Sequence, residues 1–211
     1  MKVIIIAGGI PPSKKLILQE KDLTSIIIAA DSGANCLQQY NIIPNLIIGD
    51  CDSIDRKVLE FWSNKNITIE RFSPEKNLTD TELAFKKATI FLPEKITFLG
   101  CLSGKRIDHL LGSIGLLEKC LQQNINACLK DDYQTITLLK ETTVIYGNRG
   151  QLFSLHAYGG NVKNLSITGC KYHLNKYLLK TGDALTISNR FEDTAVNIQF
   201  TTGKLLVIIE N

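Results

Sequence analysis

Four short apolar runs in the first half of the chain each stop at glycine or aspartate. Val3 to Ile6 stops at Ala7-Gly8-Gly9, Ile26 to Ala30 at Asp31, Leu46 to Ile48 at Gly49-Asp50, and Ile96 to Leu99 at Gly100. The runs are continuous, not alternating, as in strands buried on both faces of a parallel sheet. Helical segments separate them. One covers residues 14 to 20, and one carries Leu37 and Tyr40 behind a cap at Asp31 or Ser32. A third runs from Asp55 to Ser63 with Val58, Leu59 and Trp62 on one face, and a fourth carries Ala84, Ala88 and Phe91. Thr68 to Phe72 reads as a further strand. The last helix has Ile107, Leu110, Leu111, Ile114, Leu117 and Leu121 on one apolar face. This alternation predicts an open, Rossmann-like parallel α/β sheet with right-handed crossovers.

From about Asn126 the helical period stops. The β-rich runs that follow are Thr135 to Leu139, Thr143 to Tyr146, Gln151 to Ala157, Val162 to Ile167, Ala184 to Ile187, Ala195 to Phe200 and Lys204 to Ile209. Turn signals such as Gly147-Asn148, Gly159-Gly160-Asn161 and Thr202-Gly203 separate most of them. The expectation is an α/β domain over residues 1–128 and a small all-β sandwich over 129–211. A net charge of +3 on 211 residues gives no dominant basic face for nucleic acid. The apolar start is too short for a signal or a membrane span. The six cysteines show neither a Cys-x-x-Cys pair nor zinc spacing, which suits reduced thiols in a cytoplasmic protein.

In an open parallel sheet, ligands bind outside the carboxyl ends of the strands, so this fold would gather Asp31, Asp50, Asp52 and Arg106 along one edge. Asp50 and Asp52, one residue apart, repel unless a cation lies between them, and an all-oxygen set of this kind suits Mg²⁺ with substrate phosphates. A solvated turn capping the next helix explains the same residues. Arg106 offers a planar fork for phosphate behind a glycine-containing loop; an Arg106–Asp108 pair at a helix start is the plain alternative. Thr79 with Glu82 fits a capping box, and Asp80 in the first turn suits the helix dipole whether or not it serves a site. His109 lies beside an apolar helix face, where a structural role is the commoner one. Ser188-Asn189 ends a strand and reads as a turn. Carboxylates for Mg²⁺ and a basic group for phosphates describe phosphoryl transfer.

Ala30-Asp31-Ser32-Gly33-Ala34-Asn35, Gly49-Asp50-Cys51-Asp52-Ser53, Lys76-Asn77-Leu78-Thr79-Asp80, Arg106-Ile107-Asp108-His109 and Ser188-Asn189 occur in an order that resembles the thiamine pyrophosphokinase (thiamine diphosphokinase) family. The resemblance implies transfer of diphosphate from Mg·ATP to the hydroxyl of thiamine, releasing AMP. It implies Asp31, Asp50, Asp52 and Asp80 around Mg²⁺, and Lys76, Thr79, Arg106 and His109 toward ATP. Asp80 or Asp108 would accept the hydroxyl proton, and Ser188 and Asn189, with Asp80, would touch thiamine. It further implies a homodimer with thiamine between the α/β domain of one copy and the β-domain of the other. Two departures stand out. The loop from Gly100 to Arg106 is one residue longer than the family's, with Lys105 before the arginine. The chain's single tryptophan, Trp62, lies in the first domain, while some members cover the thiamine ring with one in the last strand. Other readings of the same residues are a glycosyl- or nucleotidyltransferase, a diphosphokinase for a pterin alcohol, and a non-catalytic sensor of nucleotide or thiamine diphosphate.

Overall fold

A computed structural model describes residues 1–102, 104 and 106–211. Two compact units divide the chain, Met1–Asp132 and Tyr133–Asn211. In the first, strands and helices alternate without exception. They run β1 (Lys2–Ile6), α1 (Lys14–Glu20), β2 (Ile26–Ala30), α2 (Gly33–Tyr40), β3 (Leu46–Gly49), α3 (Arg56–Asn64), β4 (Thr68–Arg71), α4 (Asp80–Thr89), β5 (Lys95–Leu99), α5 (Ile107–Gln122) and β6 (Asn126–Lys130). All six strands pair in parallel, in the order β6-β5-β1-β2-β3-β4. From β1 the chain winds outward through β2, β3 and β4, then returns to place β5 on the other side of β1. The winding therefore reverses between β1 and β5.

The apolar runs are continuous because both faces of this sheet are covered. Ile4, Ile6, Ile27, Ala29 and Ile47 point to one face, where they meet Leu16 and Ile17 of α1, Leu37 of α2, and Val58 and Trp62 of α3. Helix α4 covers β1, β2 and β3 on the other face, with Phe85 packed 6.4 Å from Phe98 of β5. Trp62 is fully buried, and its indole N–H donates to the Ala34 carbonyl at 3.2 Å. It is a core residue and cannot reach a ligand ring. The apolar face read for α5 does not enter the core at the start of the helix. Ile107 and Leu111 are 71% and 63% exposed, and burial passes to Ser113, Leu116, Leu117 and Cys120.

The second unit is two antiparallel sheets around one core. One sheet holds β7 (Gln134–Leu139), β9 (Leu152–Ala157), β12 (Asn189–Arg190) and β14 (Leu205–Glu210) in the order β12-β9-β14-β7. The other holds β8 (Thr143–Tyr146), β10 (Val162–Thr168), β11 (Leu174–Leu179) and β13 (Ala195–Gln199) in the order β11-β10-β13-β8. Phe153, Leu155, Leu165, Ile167, Val196, Ile198 and Val207 interdigitate between them, as inward residues of a sandwich do. Three sequence readings need correction here. Asn126–Lys130 and Leu174–Leu179 are strands that the sequence reading left out, and residues 184–187 form a turn, not a strand. Leu185 and Ile187 stand exposed in that turn, while the Thr186 hydroxyl is buried and donates to the Leu155 carbonyl at 2.6 Å.

Candidate active site

The carboxyl ends of β2 and β3 and the start of α4 converge on one cleft. Asp31 follows β2 with φ +47°, a conformation aspartate tolerates better than most residues. Its N–H donates to the Ile48 carbonyl at 2.9 Å and its own carbonyl accepts from Ala34 at 3.0 Å, which fixes the turn into α2. Gly49 ends β3 with φ +150°. A Cβ there would lie 3.1 Å from the Asp80 carboxylate and 3.1 Å from Asp31 Cβ, so glycine is what lets these two acids approach. Asp50 and Asp52 follow, the Asp52 N–H donating to Asp50 Oδ1 at 3.3 Å and the Ser53 hydroxyl to Asp52 Oδ1 at 2.8 Å. Asn35 of α2 clamps this loop: its Oδ1 accepts from the Asp55 N–H at 3.1 Å and its amide donates to the Ser53 carbonyl at 3.4 Å.

Asp31, Asp50 and Asp52 each offer a carboxylate oxygen, and these lie within 4.8 Å of one another. Asp31 is 8% exposed and its Oδ1 is buried with no hydrogen-bond partner. Burial raises its carboxyl above the usual range, and the nearby Asp80 and Asp50 charges add to that. Lys76 supplies the local counter-charge. Its ammonium donates to Asp50 Oδ2 at 2.7 Å and stands 3.1 Å from Asp80 Oδ1, close enough for an ion pair but out of line for a hydrogen bond. That bond holds the Asp50 carboxyl below its usual range. Thr79 is an N-cap whose hydroxyl accepts from the Glu82 N–H at 3.2 Å, and the Glu82 carboxylate pairs with Lys119 of α5. Thr79 also lines the cleft.

The cleft encloses about 680 Å³, within the range usual for sites of small ligands. Asp31, Asp50, Asp52, Lys76, Thr79, Asp80, Arg106 and His109 all line it, so eight of the residues singled out in the sequence come together. Asp108 is not among the lining residues. Its carboxylate takes both arms of the Arg106 guanidinium, Nε at 3.2 Å and Nη2, and the pair is solvent-exposed. The arginine fork is thus occupied from its own helix. Ser103 and Lys105 of the lengthened loop lie outside the described residues. Ser188 and Asn189 belong to the second unit. Ser188 is exposed with φ +57°, its N–H donating to Ser154 Oγ at 3.0 Å. Asn189 is 3% exposed and fully engaged. Its Oδ1 accepts from the Tyr172 and Arg190 N–H groups, and its amide donates to the Tyr172 carbonyl and to Cys170 Sγ. Sequence reasoning gave no role to Asn35, although it sits in the quoted Asp31 motif; an asparagine at the start of a helix next to an acidic loop was the available signal.

The thiamin pyrophosphokinase catalytic domain matches residues 18–129, and the vitamin B1 binding domain of the same enzymes matches residues 135–205. The thiamine pyrophosphokinase of Bacillus subtilis is 31% identical over 99% of this chain and 98% of its own length. A crystal structure of thiamine pyrophosphokinase from Bacillus subtilis superposes with a TM-score of 0.91 at 28% identity, covering 100% of this chain and 99% of that one. The yeast thiamin pyrophosphokinase structure, at 19% identity over 99% of this chain and 86% of that one, shares the fold with a TM-score of 0.82. Two adjoining domain matches, a full-length relative and the same two-part architecture agree: the chain belongs to the thiamine pyrophosphokinase family.

Proposed function

We propose that the aspartate-lined cleft is where this thiamine diphosphokinase carries diphosphate from ATP to the hydroxyl of thiamine. The observation that carries the assignment is the Asp31, Asp50 and Asp52 oxygen cluster, with a buried Asp31 oxygen left without a partner. An uncompensated buried carboxylate oxygen is costly, and a hard cation with oxygen ligands is what such a set suits. Asp31, Asp50 and Asp52 would hold Mg²⁺, with Asp80 beside them. Bound there, the ion supplies charge neutralisation on the diphosphate as AMP leaves.

The protein's own groups do the rest. Lys76 keeps Asp50 ionised and orients it together with Asp80. Arg106 exchanges Asp108 for phosphate oxygens when nucleotide enters, since a carboxylate and a phosphate each present two acceptor oxygens to the same planar fork. Thr79 and His109 line the path of the nucleotide. Asp80 accepts the thiamine hydroxyl proton, a role supported by its place on the cleft wall; Asp108, turned to Arg106 and off the lining, is the weaker candidate. In the second unit, the exposed Ser188 hydroxyl is free to meet thiamine, while Asn189 shapes the turn that presents it. We take the working assembly to be a cytoplasmic homodimer, as the family resemblance implies; six free thiols agree with a reducing compartment. Among the described residues no helix is long and apolar enough to cross a membrane.

The test is AMP and thiamine diphosphate formation from Mg·ATP with and without thiamine. Asp50→Asn should lower turnover about 10²-fold or more with the thermal transition retained. Near-normal turnover in that variant would remove Asp50 from the mechanism, and thiamine-independent AMP from the unaltered protein would remove thiamine as acceptor.

A further inference from the structure

The three carboxylates of the cluster are held in three different ways. Asp31 is buried and fixed by the backbone of its own turn, its N–H on the Ile48 carbonyl at 2.9 Å. Asp50 is held by the Lys76 ammonium at 2.7 Å. Asp52 is exposed, and among the described residues no cation pairs with it. Its Oδ1 takes the Ser53 hydroxyl at 2.8 Å, so its direction depends on where Ser53 stands. Between Asp50 and Asp52, Cys51 has φ +64°, which bends the chain through the left-handed region. Like charges brought together on such a bend push it open unless its far end is anchored.

Asn35 supplies the polar part of that anchor. It is the third residue of α2, and its N–H donates to the Ser32 carbonyl at 3.0 Å, one step beyond the Ala34 N–H on the Asp31 carbonyl at 3.0 Å. Its backbone thus belongs to the turn that fixes Asp31, while its side chain reaches across to the loop that carries the other two acids. There the amide donates to the Ser53 carbonyl at 3.4 Å and Oδ1 accepts from the Asp55 N–H at 3.1 Å. Ile54, between those two backbone groups, is buried in the same core as Val58 and Trp62. The bridge needs a donor and an acceptor on one short side chain: ionised aspartate has no donor, and serine has a single oxygen for both tasks. Asn35 is not among the residues that line the cleft, so it acts through the loop and not on a ligand.

We propose that Asn35 is a positioning residue for the divalent ion, setting the separation of Asp31 from Asp50 and Asp52 through the Ser53 carbonyl and the Asp55 N–H. The proposal rests on the reading of the three aspartates as the Mg²⁺ ligands. The route is short. Asn35 fixes Ser53, the Ser53 hydroxyl orients Asp52, and the Asp52 N–H donates to Asp50 Oδ1 at 3.3 Å. Partners that orient carboxylate ligands typically carry 10- to 100-fold in metal affinity or activity, although they never touch the metal. With Asn35 truncated, Asp31 and Asp50 keep their own supports, and Asp52 is the ligand that drifts.

The experiment compares Asn35→Ala, Ser53→Ala, their double variant and Trp62→Phe with the unaltered full chain. Ion affinity is read by calorimetry with Mn²⁺ alone and as the Mg²⁺ concentration that gives half-maximal AMP formation; folding is read by thermal melts in EDTA. Trp62→Phe is the control for stability, because it removes the indole N–H from the Ala34 carbonyl, one residue from Asn35, without touching the acidic loop. Asn35→Ala and Trp62→Phe should both melt below the unaltered protein. Asn35→Ala alone of these two should weaken the ion, about 10- to 100-fold, with KM for thiamine unchanged. Ser53→Ala should melt like the unaltered protein and weaken the ion in the same direction. The double variant should weaken it by less than the product of the single effects, since both residues act on Asp52 by one route. Unchanged ion affinity in a folded Asn35→Ala, equal weakening in Trp62→Phe, or full multiplication in the double variant overturns the proposal and leaves the metal reading in place. Should Asn35→Ala not fold, unchanged affinity in Ser53→Ala overturns it. An unaltered protein that neither binds Mn²⁺ nor needs a divalent ion to form AMP overturns both.

Discussion

Lys76 is the only described cation bonded to Asp50, and replacing it by methionine keeps the stem while removing the charge. At an effective dielectric of about 20, its contacts at 2.7 and 3.1 Å are worth roughly 6 and 5 kcal/mol of gross attraction to Asp50 and Asp80. Most of that is offset by desolvation, for the Lys76 and Asp50 side chains are only 14% and 11% exposed. The pair faces an open cleft, so the net loss on removing one partner is about 2 kcal/mol, below the 3 to 5 typical of a fully buried pair. Lys76→Met should therefore unfold about 2 kcal/mol more easily in urea with EDTA present. Added Mg²⁺ should narrow that gap, because in the variant all four carboxylates are left to the ion; at 100 times its Kd an ion returns about 2.7 kcal/mol. The gap should also shrink in acid. The native Asp50 pKa is lowered, so its contribution is present above the ordinary value of 3.8 and is lost as pH falls through the lowered one. Equal stability in EDTA, or a gap that Mg²⁺ leaves untouched, would refute the view that Lys76 stands in for a cation among these acids.

Four further substitutions test the structure. Gly49→Ala forces a side chain to φ +150° against Asp31 and Asp80; it should cost about 1 to 3 kcal/mol in chemical denaturation and depress turnover more than KM. Glu20 ties the end of α1 to Lys95 at 3.2 Å, Lys130 at 2.8 Å and the Thr97 hydroxyl at 3.2 Å, and despite its burial the two lysines hold its carboxyl below 4.5. Its stabilisation is present above pH 4.5 and is lost as pH falls through the lowered native value; Glu20→Gln should lose about 2 kcal/mol at neutral pH and show a flatter melt profile in acid. Asn189→Ala strips partners from the Tyr172 N–H and carbonyl and should cost about 2 kcal/mol, whereas Ser188→Ala, at an exposed hydroxyl, should stay within about 0.5 kcal/mol of the parent and register in KM for thiamine alone.

The parallel sheet was legible because burial on both faces leaves a plain mark: uninterrupted isoleucine, valine and leucine. β6 carried a weaker mark, since Asn-Ala-Cys-Leu-Lys has polar ends and sits where a domain boundary was expected. β11 was hidden for a related reason, its Asn175 and Lys176 facing water and Lys176 itself in a left-handed conformation. Residues 184–187 show the converse error. Ala-Leu-Thr-Ile alternates like a strand, but its polar Thr186 is the buried member and its apolar Leu185 and Ile187 are out. Asp31, Asp50 and Asp52 were legible through position, just past the carboxyl ends of β2 and β3. What position could not give was partnership. That Lys76 bridges Asp50 and Asp80 and that Asn189 spends its amide on Tyr172 are facts of side-chain direction, which periodicity does not encode; the Arg106–Asp108 pair, offered by the sequence as the plain alternative, is present.

The reversal of winding between β1 and β5 also sets an order of assembly. The acidic end of the cleft is built from chain between Asp31 and Asp80, whereas the apolar end needs the Gly9 loop to meet Leu116 across most of the first unit. Closing the longer loop costs more entropy, and non-local parallel pairing is slow. A chain emerging from synthesis thus completes the Asp31–Asp80 end of the cleft before the end between Gly9 and Leu116.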